Sequence, residues 1–264
     1  MEYNLPDTAI VTGAGSGIGR AIAIALGGKG VYVACISRSE KCKKTAELIK
    51  LNNGDADGFV VDLEDYNNIK NKINRSINNK SLGRCSIILA AAILGPENKK
   101  IVTNIVEWEK VFRVNILGNL EVLNCVLPHM LKTKYGRIVF FSGGGAANKF
   151  PIFPAYSASK TALVRITENL HEDLLGCGDF SVVCIAPGAV NTKMLERVKS
   201  AGGTINTECK MEESLVFIEK FFAYKTNKLS GRLVHVRDDW TELEGDLDQK
   251  ILDQYWKLRR VEQY

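Results

Sequence analysis

Hydrophobic residues along this chain fall into short, nearly unbroken runs separated by longer stretches of mixed polarity. The runs cover residues 8–12, 31–36, 58–61, 86–92, 137–141, 181–186 and 232–236. Successive side chains of a strand point to opposite sides, so a run that is apolar at consecutive positions predicts a strand covered on both faces. Between the runs lie segments of helical period, such as 17–26 and 40–51. After Tyr156, the residues Leu163, Ile166, Leu170 and Leu174 recur at spacings of three and four and form one apolar stripe. Strands alternating with helices along the whole length predict an α/β fold, a doubly wound parallel sheet with helices on both faces. One domain is expected over residues 1–240. Residues 241–264, charged and aromatic, are expected to form a tail helix packed on it. There is no internal repeat, low-complexity tract or linker.

Composition narrows the function classes. A chain of 264 residues buries roughly three quarters of its unfolded surface and needs no covalent staples. Its 45% hydrophobic and 25% charged residues are those of an ordinary globular domain. The net charge is +5, but basic residues are interspersed with Asp and Glu, so no nucleic-acid partner is expected. Seven cysteines include no C-x-x-C pair, and Cys35, Cys125 and Cys184 sit within apolar runs, as small buried hydrophobes do. Reduced thiols and a cytoplasmic location are expected. The start, MEYNLPDTAIV, lacks the pattern of a signal peptide, and the longest apolar stretch, 87–94, is too short to span a bilayer. No membrane association is expected. His129, His171 and His235 are dispersed, and no Cys/His cluster has metal-ligand spacing, so no metal is expected.

The chemistry begins where the first run leads into Thr12-Gly13-Ala14-Gly15-Ser16-Gly17-Ile18-Gly19, followed by a helical segment. Glycines at a strand-to-helix turn let the backbone approach a pyrophosphate, whose charge the unpaired N–H groups of the helix start stabilise. The spacing is T-G-x-x-x-G-x-G, which resembles the short-chain dehydrogenase/reductase family, a group of Rossmann-type NAD(P)-dependent oxidoreductases. The resemblance extends over about residues 5–237. Asp62, followed by Leu63, stands where the family has an acidic residue near the adenine. Ile93-Leu94-Gly95-Pro96 closes the fourth strand as in the family. The segment 108–130 resembles the family's central helix, with Asn115 at the position of its catalytic asparagine. Tyr156-Ser157-Ala158-Ser159-Lys160 matches Y-x-x-x-K. Pro187-Gly188-Ala189-Val190-Asn191-Thr192 matches the loop that holds the nicotinamide, with Thr192 as its carboxamide contact.

This resemblance implies hydride transfer between a nicotinamide cofactor and a small carbonyl or alcohol substrate. It implies cofactor contacts at Gly13, Ser16, Gly17, Ile18, Gly19, Ser37, Arg38, Asp62, Leu63, Ala90, Ala91, Pro187, Gly188, Val190 and Thr192, with Tyr156 and Lys160. It also implies a homodimer or homotetramer in which segments 108–131 and 156–175 pack across a twofold axis. An acidic residue after the second strand would bind both ribose hydroxyls of NAD. This chain instead has Ser37-Arg38, and an arginine pairs with a 2′-phosphate bidentately. NADP(H) is therefore favoured and NAD(H) is the alternative.

Tyr156 is the expected proton-transferring residue. A tyrosine has an ordinary pKa of about 10. Lys160, one helical turn on, is expected to lower it by favouring the phenolate. By the resemblance Lys160 also holds the nicotinamide ribose, and Asn115 holds a water that connects Lys160 to solvent. Two departures from the family stand out. Its N-N-A-G reads Leu89-Ala90-Ala91-Ala92 here, so side-chain bonds that brace the sheet are expected to be missing. Its catalytic serine aligns with Gly143, one place after Ser142. Either a one-residue shift in the glycine-rich loop brings Ser142 into the catalytic set, or a backbone N–H or Tyr156 alone positions the carbonyl oxygen. Over the expected substrate side, residues 193–211 offer Met194, Leu195 and Val198 on one apolar face, and the tail adds Trp240, Tyr255, Trp256, Arg259 and Arg260. A packed helix is expected, and a lid that suits a polar or anionic substrate, such as a sugar derivative, is the alternative. A non-catalytic NADP-binding redox sensor or scaffold is the alternative to an enzyme.

Overall fold

Valine and isoleucine are the commonest residues of the seven strands that form the main sheet of the computed structural model, which describes residues 5–77, 81–97, 104–205, 207–223, 227–239 and 257–258. In chain order the elements are β1 (Thr8–Thr12), α1 (Gly17–Gly27), β2 (Tyr32–Ser37), α2 (Lys41–Leu51), β3 (Ala56–Val60), α3 (Tyr66–Ile77), β4 (Cys85–Leu89), α4 (Ile105–Phe112), a π-helical turn (Arg113–Gly118), α5 (Asn119–Thr133) and β5 (Tyr135–Phe141). There follow α6 (Gly144–Ala147), α7 (Pro154–Asp173), β6 (Asp179–Ala186), β7 (Ala189–Val190), α8 (Lys193–Ser200), β8 (Glu208–Cys209), α9 (Met211–Ala223) and β9 (Arg232–His235). The sheet order is β3-β2-β1-β4-β5-β6-β9, with every neighbouring pair parallel. This is the expected doubly wound α/β fold.

The unbroken apolar runs are explained by two-sided burial. Ala9, Val11, Val33, Cys35, Ile88 and Val139 point into one core with α1, α2 and α9. Their neighbours Ile10, Ala34, Ile36, Ile87, Leu89 and Ile138 point into the other, with α3, α5 and α7. Each fully buried valine, leucine or isoleucine among them contributes roughly 1.5–3 kcal/mol. Strand order reverses between β1 and β4, where the connections leave to opposite sides and a crevice opens beyond the carboxyl ends.

Two differences from the sequence expectation have physical causes. The run 86–92 leaves the ladder at Leu89, so Ala90–Ala92 form a loop facing the crevice. The expected single central helix is divided by the π-helical turn, which adds a residue to one turn and frees backbone carbonyls from the regular ladder. The tail helix expected over 241–264, with Trp240, Tyr255, Trp256, Arg259 and Arg260, lies outside the described residues apart from Lys257 and Leu258. Leu258 packs against the α7 side of the sheet, and its carbonyl accepts from Arg165 Nη2 at 3.0 Å. Among the described residues no helix is long and apolar enough to cross a membrane, and no group of side chains could hold a metal ion. All seven cysteines are free thiols.

Candidate active site

The glycine loop leaves β1 and enters α1 against the exit of β4. Gly13 has φ +71°, and a Cβ built on it would come within 2.9 Å of Ala91 N and 3.0 Å of the Ala90 carbonyl carbon. A Cβ on Gly19 would stand 2.7 Å from Gly13 O. Any side chain at these positions would force two backbone segments apart. The N-cap Ser16 makes no side-chain capping bond, so the first N–H groups of α1 are left for another acceptor. In front of the loop lies an open cleft of about 820 Å³. Gly13, Ser16, Ser37, Arg38, Asp62, Leu63 and Ala91, all expected cofactor contacts, line it. Gly17, Ile18 and Gly19 form the first turn of α1. A Cβ on Gly17 would lie 3.4 Å from Thr192 Cγ2, which places the loop after β6 beside the glycine loop.

Lys41 was not expected in this set, because its position reads as the first turn of a helix. It lines the cleft with Ser39 and Arg38, and the missing side chain of Gly15 lets its Cβ approach the loop. The only sequence signal is its spacing of three from Arg38. A cleft with a glycine cradle, an uncapped helix start and two cations fits an anionic dinucleotide.

Two asparagines of the central segment hold the β4 exit loop. Asn115 Oδ1 accepts from Ile93 N at 2.8 Å, and its Nδ2 donates to Ile93 O and Ser159 Oγ, each at 3.0 Å. It is fully buried and bonds neither Tyr156 nor Lys160 with its side chain. One turn on, Asn119 Nδ2 donates to Ala91 O at 3.0 Å and to Val114 O at 3.0 Å, a carbonyl of the π-helical turn. Thr12 Oγ1 donates to Asn119 Oδ1 at 2.8 Å and accepts from Ala91 N at 3.1 Å. The β4 loop makes no side-chain brace bonds of its own, as expected, and a helix supplies the bracing instead.

Pro154 at the first turn of α7, where its missing N–H costs nothing, starts the helix that carries Tyr156 and Lys160. Lys160 Nζ lies 5.4 Å from the centre of the Tyr156 ring and donates to Phe141 O at 2.6 Å. Burial moves both groups towards neutrality: Tyr156 is pushed up to about 12 and Lys160 down to about 8. This corrects the expectation that Lys160 lowers the tyrosine. In the protein by itself, desolvation of the phenolate outweighs the attraction of an ammonium directed at a carbonyl. Ser159 Oγ, held by Asn115, donates to Tyr156 O at 2.7 Å, so the asparagine reaches the catalytic helix through its backbone.

Opposite the Tyr156 hydroxyl stands Gly143, where a Cβ would sit 3.4 Å away. Ser142 is not brought to that position. It is 3% exposed, its N–H pairs with Ile185 O at 2.7 Å, and its hydroxyl lies beside the Cys184 thiol without a hydrogen bond of good geometry. The expected nicotinamide loop keeps Gly188 at φ +71°, where a Cβ would collide with Cys209 across the β7–β8 pair, and Val190 buried. Thr192 Oγ1 accepts from Leu195 N at 3.3 Å and caps α8. Of the helix expected over 193–211, α8 covers only Lys193–Ser200, and the chain turns at Ala201–Gly202 before β8. Val198 and Met194 of α8 join Leu94, Phe150, Ile152 and Phe153 in an apolar cluster that includes Tyr156, with the Phe150 ring edge-on at 6.4 Å. Arg197 fastens α8 across the opening, donating to Gly95 O at 2.7 Å and stacking on Phe153.

The chain is similar to known proteins over most of its length. A family model described as short chain dehydrogenase matches residues 7–202. An uncharacterized oxidoreductase of Schizosaccharomyces pombe is 34% identical over 231 residues, covering 87% of this chain and 85% of that protein. The 3-oxoacyl-[acyl-carrier-protein] reductase of Buchnera aphidicola is 28% identical over 241 residues, covering 87% and 95%. Among solved structures, a provisionally named NAD(P)-dependent gluconate 5-dehydrogenase from Beutenbergia cavernae with bound NADP superposes with a TM-score of 0.77 at 26% identity, covering 89% of this chain and 96% of the other.

Proposed function

The chain belongs to the short-chain dehydrogenase/reductase family, and from that premise we propose that it transfers a hydride between NADP(H) and a small carbonyl or alcohol compound, with Tyr156 as the proton-transferring acid and base. Membership makes it an NAD(P)-dependent dehydrogenase/reductase. The observation that carries the finer reading is the link from cleft to tyrosine. Ile93 lines the cleft, Asn115 ties Ile93 to Ser159, and Ser159 bonds the backbone of Tyr156.

With its hydroxyl pushed up to about 12, Tyr156 keeps its proton at neutral pH and can give it to a carbonyl oxygen during reduction. The bound cofactor would supply or accept the hydride and, when oxidised, add a positive charge that favours the phenolate for the reverse reaction. Lys160, pushed down to about 8, is still mostly protonated at neutral pH and can resupply the phenol. Asn115 acts as a positioning residue. The carbonyl oxygen is oriented by Tyr156 without a serine hydroxyl, since Gly143 faces it and Ser142 does not. Arg38 and Lys41 receive the 2′-phosphate of NADP, and no carboxylate follows Ser37 directly to bind the ribose hydroxyls of NAD. Gly13, Ser16, Gly17, Ile18 and Gly19 hold the pyrophosphate. Asp62, Leu63, Ala90 and Ala91 flank the adenosine half, and Pro187, Gly188, Val190 and Thr192 the nicotinamide half. Phe150, Ile152 and Met194 suit a substrate with an apolar flank beside its carbonyl. The seven free thiols support a reducing, cytoplasmic setting, and the family resemblance a homo-oligomer.

Screening NADPH oxidation against a panel of alkyl ketones, aryl ketones and keto-sugars tests the proposal. Turnover of at least one ketone is expected. Tight NADPH binding without turnover of any member would replace the enzyme reading with a cofactor-binding sensor.

A further inference from the structure

We infer that Asn119 and Thr12 form a clamp that sets the spacing between the two backbone walls of the cofactor cleft, taking over in this chain the bracing that the β4 exit loop lacks. The inference rests on the reading that the glycine cleft holds the dinucleotide.

Three segments distant in sequence meet at the Asn119 amide. Thr12 is the last residue of β1, directly before the glycine loop. Ala91 belongs to the loop after β4. Val114 belongs to the π-helical turn that carries Asn115. Asn119 is 1% exposed and Thr12 fully buried, so neither can exchange these bonds for water. The Asn119 carbonyl oxygen accepts a hydrogen bond from the Thr12 hydroxyl, and its Nδ2 donates to Ala91 O and Val114 O. The same hydroxyl oxygen accepts from Ala91 N, so Ala91 is held through both its N–H and its C=O.

The consequence for the cleft is geometric. Ala91 N is the atom that a Gly13 Cβ would meet at 2.9 Å. The wall held by Asn119 is therefore the one packed on the first glycine of the loop. Leu89, Ala90, Ala91 and Ala92 have no polar side chains with which to fix their own backbone. Removing the amide leaves the Thr12 hydroxyl, Ala91 O and Val114 O short of partners in a dry interior. Buried groups left in that condition relax towards other partners, which here means moving a cleft wall. Asn119 thus acts on the cofactor through Ala91, as a positioning residue.

NADPH titration by fluorescence on the full chain, together with thermal melting, tests this. Asn119→Leu and Thr12→Val should each raise the NADPH Kd about tenfold. The double variant should be little worse than either single one, because both remove one shared network. Thr12→Ser retains the hydroxyl and should stay within twofold of the parent. Ser86→Ala serves as a structural control: its hydroxyl bonds Thr8 O at 3.2 Å between the same two strands at their other end. It should lower the melting temperature while leaving the Kd within twofold. If Asn119→Leu fails to fold, Asn119→Ser, whose short hydroxyl cannot span Ala91 O and Val114 O, decides in its place. A Kd within twofold of the parent for the folded Asn119 variant, or a Ser86→Ala Kd raised as much as that of the Asn119 variant, overturns the clamp. A parent protein that binds neither NADPH nor NADH overturns instead the cofactor reading on which it rests.

Discussion

Restoring a hydroxyl opposite Tyr156 should raise turnover, and removing the one at Ser142 should not lower it. A side chain at position 143 would place its Cβ 3.4 Å from the Tyr156 oxygen and 3.9 Å from Cε1, ordinary van der Waals distances. Gly143 is not among the glycines in the left-handed region, so an L side chain is accepted there without strain. A serine at 143 could then reach a carbonyl oxygen bound at Tyr156. In evolved sites, loss of one such donor costs a hundredfold or more in kcat. A newly introduced donor, without surroundings shaped to hold it, should recover a fraction of that, about tenfold or roughly 1.4 kcal/mol. Ser142→Ala removes a buried hydroxyl that has no well-formed bond, so kcat should stay within threefold. Stability should be unchanged or rise by about 1 kcal/mol. Steady-state kinetics with the best ketone, and melting curves, measure both variants. A hundredfold loss of kcat in Ser142→Ala with unchanged cofactor affinity would refute the reasoning and put Ser142 in the site.

Three further outcomes are expected. Arg38→Ala and Lys41→Ala should each weaken NADPH binding about tenfold while leaving NADH within threefold, as loss of a charge-assisted phosphate contact predicts; tighter NADH binding by the parent contradicts this. Lys160 is 2% exposed and its ammonium is lowered from 10.5 to about 8, so between those pH values the unfolded chain holds more protons than the folded one. Its contribution to stability therefore rises with pH across that window, by about 3 kcal/mol, and Lys160→Met should flatten the rise seen in denaturant melts, equal slopes in parent and variant counting against it. Light scattering at micromolar concentration should show a multiple of 29.2 kDa, and a monomer alone contradicts twofold packing of the α4–α5 and α7 helices.

The parts legible in the sequence were those set by short-range rules. Strands such as β1 and β6 announce themselves because both their faces are buried, and Tyr156 and Lys160 share a helix face by spacing alone. Asn119 was hidden because its partners come from the ends of two strands and a π-helical turn, although a second asparagine four residues after Asn115 in an apolar helix was a visible signal. The raised pKa of Tyr156 is not legible in the sequence, because a neighbouring cation can be read from spacing, whereas desolvation depends on Leu94, Met194 and Val198 closing in from other segments. Lys41 is hidden for a similar reason: helical period describes where it lies along α2, but the crevice at the strand ends determines what it faces.

Tyr156→Phe, assayed for NADPH-dependent ketone reduction and for NADPH affinity in the same preparation, tests the central claim most directly. The ring packing on Phe150 survives this change, so fold and cofactor Kd should stay within about twofold of the parent. Loss of the proton donor should remove at least a hundredfold of kcat. Turnover within a few-fold of the parent would contradict Tyr156 as the acid and base of this enzyme.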